Sequence, residues 1–304
     1  MRVTTRLMSN SYLRNLNRQT NKVQKYQHQL SSLKEVSKPS DDPLTVSKIM
    51  DLNNSIVQND YYQSTIEDAI DWTNVQDAAL GQATNALGRI QNLIQSAANG
   101  TMSEENRKAV KYNVEGEIAA FVDALNTNFG GRFVFGGQAT TTQPFEVDRT
   151  DEGQIIGIKT PENTDNLERE VSPGVTVSLL TNGEKLVNND DFNLNDFFGD
   201  VLKALDSDDP AELSKLGGDY LDTADKAFNN MVDKRAEVGA VFNRLEAAKS
   251  RNETESLNLK SMLSNKEDID LAEKFMEYSM EMIAYESSLQ MGTRILQTNI
   301  LNYL

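Results

Sequence analysis

The sequence predicts a mostly α protein: an elongated bundle of long, coiled-coil-like helices formed by the N- and C-terminal halves, with a small β-rich domain inserted in the middle. Three observations carry that expectation. Apolar residues recur every seven positions at both ends of the 304-residue chain, the helical period lapses between residues 130 and 190, and a hydrophobic content of 38% is low for a compact globule of this size.

Taken in order, the N-terminal segment steps by seven from Leu16 to Val23 and Leu30, with Tyr12, Tyr26 and Leu33 as companions. Offsets of three and four between these rows describe one apolar seam on a helix. The remaining positions are mostly Asn, Gln, Lys and Arg, so such a helix is too polar to stand alone and must lay its seam on a partner. At the other end Phe275, Met282, Leu289, Leu296 and Tyr303 recur every seven residues, joined by Tyr278 and Tyr285. Residues 1–34 carry seven basic residues and no acid, whereas 265–304 carry seven acids against three bases. The two terminal helices are therefore charge-matched, and the sequence predicts that they pair as a coiled coil.

Between them, Leu80, Ala83, Leu87, Ile90 and Ile94 mark a long helix over about 43–98, and Val110, Val114, Ile118, Phe121 and Leu125 mark another. Ala224, Met231, Val238 and Leu245, with Leu221, Phe228 and Phe242, predict a long helix from about 210 to 260. The intervening "GGRFVFGG", "QIIGIKT" and "VTVSLLTNGEKLV" read as strands, Asn182-Gly183 being a hairpin-turn signal, followed by a short amphipathic helix at "LNDFFGDVLKAL". The expected division is 1–41 with 265–304 as the terminal coiled coil, 42–137 with 194–264 as a long-helix bundle, and 138–193 as the β-rich insert.

"SKPSDDPLTVSKIM" sets Asp41 and Asp42 against Pro43. Asp42 suits an N-cap, because its carboxylate can accept the free amides of a first helical turn, and Pro43 lacks a donor that would be orphaned there. A calcium loop would need alternating acids and a glycine at its sixth position, which neither this stretch nor "NNDDFNLND" nor "DSDDPAE" supplies. The same capping grammar recurs at Asp209-Pro210 with Glu212, at Thr101 with Glu104, and at Ser264 with Glu267.

Several functional classes fall away. There is no cysteine, and the single histidine, His28, falls on the outer face of the N-terminal helix, so disulfides, thiolate nucleophiles and Cys/His zinc clusters are excluded and a catalytic base is unsupported. A net charge of −16 argues against a nucleic-acid partner. "GGRFVFGG" matches neither phosphate-binding glycine motif, and its glycines are better read as bends bracketing a short strand. Met262, Met276, Met280, Met282 and Met291 could suggest an adaptable binding surface, whereas Met282, on the seven-residue step, is read as plain seam packing. A basic, acid-free N-terminus imitates a mitochondrial transit peptide, but its heptad seam has a partner reserved at the C-terminus. The sequence implies no membrane span, no cleaved signal and no cofactor.

The stretches "SKPSDDPLTVSKIM", "GGRFVFGGQATTTQPF", "RAEVGAVFNRLEAA" (235–248), "LSNKEDIDLAEKFME" (263–277) and "LQMGTRILQTNILNYL" resemble the flagellin superfamily. Asp41-Asp42-Pro43-Leu44-Thr45, where filament flagellins usually carry Asp-Asp-Ala-Ala-Gly, resembles its hook–filament junction subgroup. The resemblance implies an axial structural protein without enzymatic activity, exported unfolded through the flagellar type III apparatus without signal cleavage. It would assemble outside the cell as a ring between hook-associated protein 1 and the flagellin filament. Its partners would be copies of itself, hook-associated protein 1, flagellin and an export chaperone, for which Leu289, Leu296, Ile300 and Leu304 are candidates. The terminal segments would form the inner layer, with the β insert facing outward. The alternatives are a filament flagellin and, on a zinc motif or acid pair that is not found, a flagellin-like protein with an enzymatic insert.

Overall fold

The computed structural model describes residues 2–98, 102–150, 153–160, 165–189, 191–207 and 209–297, without the side chains of residues 2–5, 210 and 294–297. The element order is α1 (Arg2–Ser32), α2 (Pro43–Ala97), α3 (Glu104–Leu125), β1 (Asn128–Phe129), β2 (Arg132–Phe133), β3 (Glu146–Arg149), β4 (Ile155–Lys159), β5 (Glu168–Ser172), β6 (Val175–Ser178), α4 (Glu184–Val187), β7 (Asn188–Asn189), β8 (Phe192–Asn193), α5 (Leu194–Asp206), α6 (Pro210–Leu216), α7 (Asp219–Glu267) and α8 (Leu271–Gln297). The protein is mostly helical, with long helices from both halves and short antiparallel strands between them.

Two compact units form, Met1–Asn59 with Thr254–Leu304 and Asp60–Glu253, here called the terminal and central units. The divisions at 59/60 and 253/254 fall within α2 and α7, whereas the sequence suggested boundaries near 41 and 265. The insert 138–193 belongs to the central unit and does not separate as a domain. Its physical reason is a shared core: Leu80, Leu87, Ile94, Ile118, Phe121, Met231, Val238 and Leu245 from the helices are buried in one cluster with Phe145, Ile155, Ile158, Val177 and Leu186 from the insert. The α5 ring of Phe198 meets Phe121 at 5.8 Å and Phe197 at 5.4 Å, joining α3 to that core.

The strands make four separate two-stranded antiparallel ribbons, β1–β2, β3–β4, β5–β6 and β7–β8. Gly130 and Gly131 turn the first, both at positive φ. Asn182-Gly183 is not a hairpin turn. Asn182 instead bridges Gly136, its amide and that of Thr181 donate to Asn166 Oδ1 at 2.9 and 3.0 Å, and Gly183 opens α4. The glycine is there for close approach: a Cβ would stand 2.6 Å from the Phe135 carbonyl oxygen and from the Phe145 ring. The segment from 210 is likewise two helices, because Gly217 and Gly218 interrupt it between α6 and α7.

Helix starts explain the acidic clusters. Asp42 Oδ1 accepts from the amides of Leu44 and Thr45 at 3.1 and 3.2 Å, and its Oδ2 accepts from the Thr45 hydroxyl at 2.7 Å. The Thr45 hydroxyl and amide hold this carboxyl below its ordinary range against the opposing effect of burial, helped by the Leu44 amide and Lys48. Asp209 accepts from the Ala211 amide at 3.0 Å ahead of α6. Thr101 lies outside the described residues, and the N-cap of α3 is Ser103, whose hydroxyl accepts from the Asn106 amide at 3.4 Å. Ser264 is not a cap: α7 runs through it to Glu267, and its hydroxyl donates to Asp268 at 2.5 Å. Asp270 takes that role for α8, accepting from the amides of Ala272 and Glu273 at 2.9 and 3.1 Å. Continuing α7 by one more turn satisfies more backbone groups than capping at Ser264 would.

Candidate assembly surface

In the terminal unit α1 packs along α8. Tyr12, Leu16, Val23, Tyr26 and Leu30 are all half-buried, with Gln19 occupying the seam position between Leu16 and Val23. Leu33 leaves the row. It sits just past the end of α1 at φ 60°, 51% exposed, where its carbonyl accepts from the Ile269 amide at 3.3 Å. A left-handed leucine costs about 1–2 kcal/mol, so the turn is held by its surroundings. The Glu35 amide donates to the Glu267 carbonyl at 2.7 Å, and Gln29 Nε2 donates to the Glu35 carbonyl at 2.6 Å.

On α8 the packed face is rotated away from the seven-residue row that starts at Phe275. Tyr278, Met282 and Tyr285 are half-buried, whereas Phe275 is 59% exposed and Leu289 also faces outward. Tyr303 and the Leu296 side chain lie outside the described residues, as do Ile300 and Leu304. The face that meets α1 instead continues through Ser288 and Gly292, which periodicity in apolar residues could not reveal. Tyr12 donates to the Ser288 carbonyl at 3.1 Å and covers Gly292. Small residues at one-turn spacing were the available signal, since they let two backbones approach.

Charge pairing is mixed in sense. Lys22 meets Glu281 at 3.5 Å and Lys34 pairs with Glu267, both with the base in the N-terminal segment. Lys274 reverses the polarity, reaching Glu35 at 3.1 Å and Glu277 at 3.0 Å while standing 5.8 Å over the Tyr26 ring. Burial pulls the Lys274 ammonium down, but the hydrogen bonds to Glu277 and Glu35 outweigh it and its pKa is raised. Partly exposed pairs of this kind contribute up to about 1 kcal/mol each, so they choose the partner more than they hold it.

What the terminal unit lacks is a core. Among its described apolar residues only Ile49 is buried, while the central unit buries the whole cluster given above. Leu271, Phe275, Met276, Met280, Ile283 and Met291 leave an apolar face of α8 in solvent, and Leu7, Met8 and Leu13 do the same on α1. A groove of about 420 Å³ beside Leu52 and Met262, rimmed by Lys48 and Lys266, adds to that surface. Burying one such side chain contributes about 1.5–3 kcal/mol, so this face favours association. Among the described residues no three His, Cys, Asp or Glu side chains converge as metal ligands, and no helix is long and apolar enough to cross a membrane.

Comparison with known proteins gives the same picture from another direction. The bacterial flagellin N-terminal helical region matches residues 3–140, and the bacterial flagellin C-terminal helical region matches residues 221–304. Flagellar hook-associated protein 3 of Escherichia coli (strain K12) is 25% identical over 308 residues, covering 95% of each chain. Flagellin of Bacillus subtilis (strain 168) is 23% identical, covering 95% of this chain and 94% of its own. Among solved structures, hook-associated protein 3 of Legionella pneumophila superposes with a TM-score of 0.61 at 15% identity, over 71% of this chain and 98% of that one. FlgL of Bacillus cereus superposes with a TM-score of 0.54 at 20% identity, over 70% and 99%.

Proposed function

This chain belongs to the bacterial flagellin family, and from that premise we propose that it joins hook-associated protein 1 to the flagellin filament as a ring of identical subunits. The family and the relatives named above are structural proteins of the flagellum, not enzymes. The observation that carries the assembly reading is the terminal unit, which buries Ile49 alone among its described apolar residues and leaves the α8 row from Leu271 to Met291 in solvent. A helix pair so poor in burial gains its rigidity from neighbouring copies and from stacked relatives. On this reading the protein is exported without cleavage of a signal, works outside the cell, and travels with an export chaperone that covers part of α8. No cofactor takes part.

Deletion of the gene followed by electron microscopy tests the role. Hooks without filaments, and flagellin monomers shed into the medium, are expected; intact filaments would overturn it. The second reading, a filament subunit, draws on the full-length match to Bacillus subtilis flagellin. Long filaments grown from the purified chain alone would favour that reading.

A further inference from the structure

The central unit holds a basic cleft that the assembly reading does not use. It has a volume of about 270 Å³ and is lined by Asp68 and Trp72 from α2, Phe129 and Gly130 from the β1–β2 hairpin, Arg132 from β2 and Arg169 from β5. Each wall is placed by ordered structure. Gly130 and Gly131 at positive φ, with the Gly131 amide donating to Asn128 Oδ1 at 2.9 Å, present Arg132 from a tight turn. Arg169 lies opposite Val177 in the β5–β6 ribbon. The Trp72 ring is 6% exposed and meets the Phe129 ring edge-on at 6.1 Å.

Two features of this cleft bear on a ligand. Several bases of the central unit, Arg89, Lys111, Lys159, Arg235 and Lys249, meet a carboxylate. Arg132 and Arg169 have no carboxylate within ion-pair distance among the described residues, and one acid, Asp68, stands against their two charges. Trp72 Nε1 is buried without an acceptor. Guanidinium groups favour planar two-oxygen partners, which they grip through paired N–H bonds.

The geometry points to a carboxylate-binding site at Arg132 and Arg169, filled on assembly by an Asp or Glu side chain of a second copy of this chain. The second copy is the fitting source because the chain carries a net charge of −16 while this cleft sets two arginines against one acid. The inference rests on the assembly reading for its occupant but not for the site itself.

Trp72 is the chain's single tryptophan, so its emission reports this cleft alone. Purified full-length protein is titrated with N-acetyl-glutamate amide and, in parallel, with N-acetyl-glutamine amide. A saturable change in Trp72 emission is expected with the glutamate compound only, weakened at least tenfold in Arg132→Gln and in Arg169→Gln. Arg132 is exposed, so its variant keeps the wild-type helical signal by circular dichroism. No response, or an equal response to both compounds, overturns the site. In cells, both variants are expected to enter flagella less than the wild type. Variants that bind glutamate poorly yet assemble normally would make a free small carboxylate the ligand and overturn the second-copy occupant. Should the wild-type chain itself stay out of flagella while the titration succeeds, the junction role fails and the carboxylate site stands.

Discussion

Tyr12 and Gly292 are in contact across α1 and α8 so closely that a Cβ on residue 292 would stand 2.0 Å from the tyrosine hydroxyl. That hydroxyl donates to the Ser288 carbonyl at 3.1 Å, so it cannot move aside without losing its bond. Gly292→Ala would gain about 1 kcal/mol of helix propensity. Overpacking costs about 1–3 kcal/mol, and the steric loss wins. Cysteine crosslinking between positions facing each other on α1 and α8 should fall in this variant, while Gly239→Ala, whose added Cβ would meet nothing within 4 Å beyond its own helix, controls for helix propensity without crowding.

The apolar face of α8 should matter to assembly and not to the free chain. Phe275→Ser and Met280→Ser remove side chains that are 59% and 64% exposed. Thermal unfolding of the isolated protein should shift by no more than about 0.5 kcal/mol, as for other surface changes. Incorporation into flagella should drop severely in the double variant. Normal incorporation would move the assembly surface elsewhere.

Lys274 gives the helix pair a pH limit on the alkaline side. Its pKa is raised in the folded state, by Glu277 and Glu35 against the opposing pull of burial. A raised lysine stabilises fully below its unfolded value, about 10.4, and that contribution disappears as pH climbs through the higher folded value. Wild type should therefore lose α1–α8 pairing above about pH 10.4 more steeply than Lys274→Met. Flat difference curves across that range would sink the assignment.

Phe121→Ala tests the shared core of the central unit. The ring is fully buried against Phe198 at 5.8 Å. Truncation should cost about 3–5 kcal/mol in chemical denaturation, with β-insert and helix signals lost together. Independent unfolding of residues 138–193 would show that the insert has a core of its own.

Limited proteolysis of the isolated chain should trim within 1–59 and 254–304 first and leave a fragment near 60–253, because local opening follows the density of buried apolar contacts. Early cleavage inside α3 or α5 would contradict that order.

Much of this architecture is a property of the sequence read alone. Heptad spacing placed α1 and α8, the rows through Leu80, Leu87 and Ile94 and through Met231, Val238 and Leu245 marked the buried faces of α2 and α7, and Asp42-Pro43 announced where α2 begins, since capping and helical periodicity are local effects. Which face of α8 meets α1 was decided only in three dimensions. An amphipathic row as broad as that of α8 is compatible with several rotations, and the one adopted follows from the room above Gly292 and from Lys274 reaching Glu35, contacts between residues more than two hundred positions apart. The same holds for Asp270 replacing Ser264 as a cap, for Gly183 serving close packing in place of a turn, and for the insert sharing the helices' core. Periodicity records that a side chain will be covered; only packing selects what covers it.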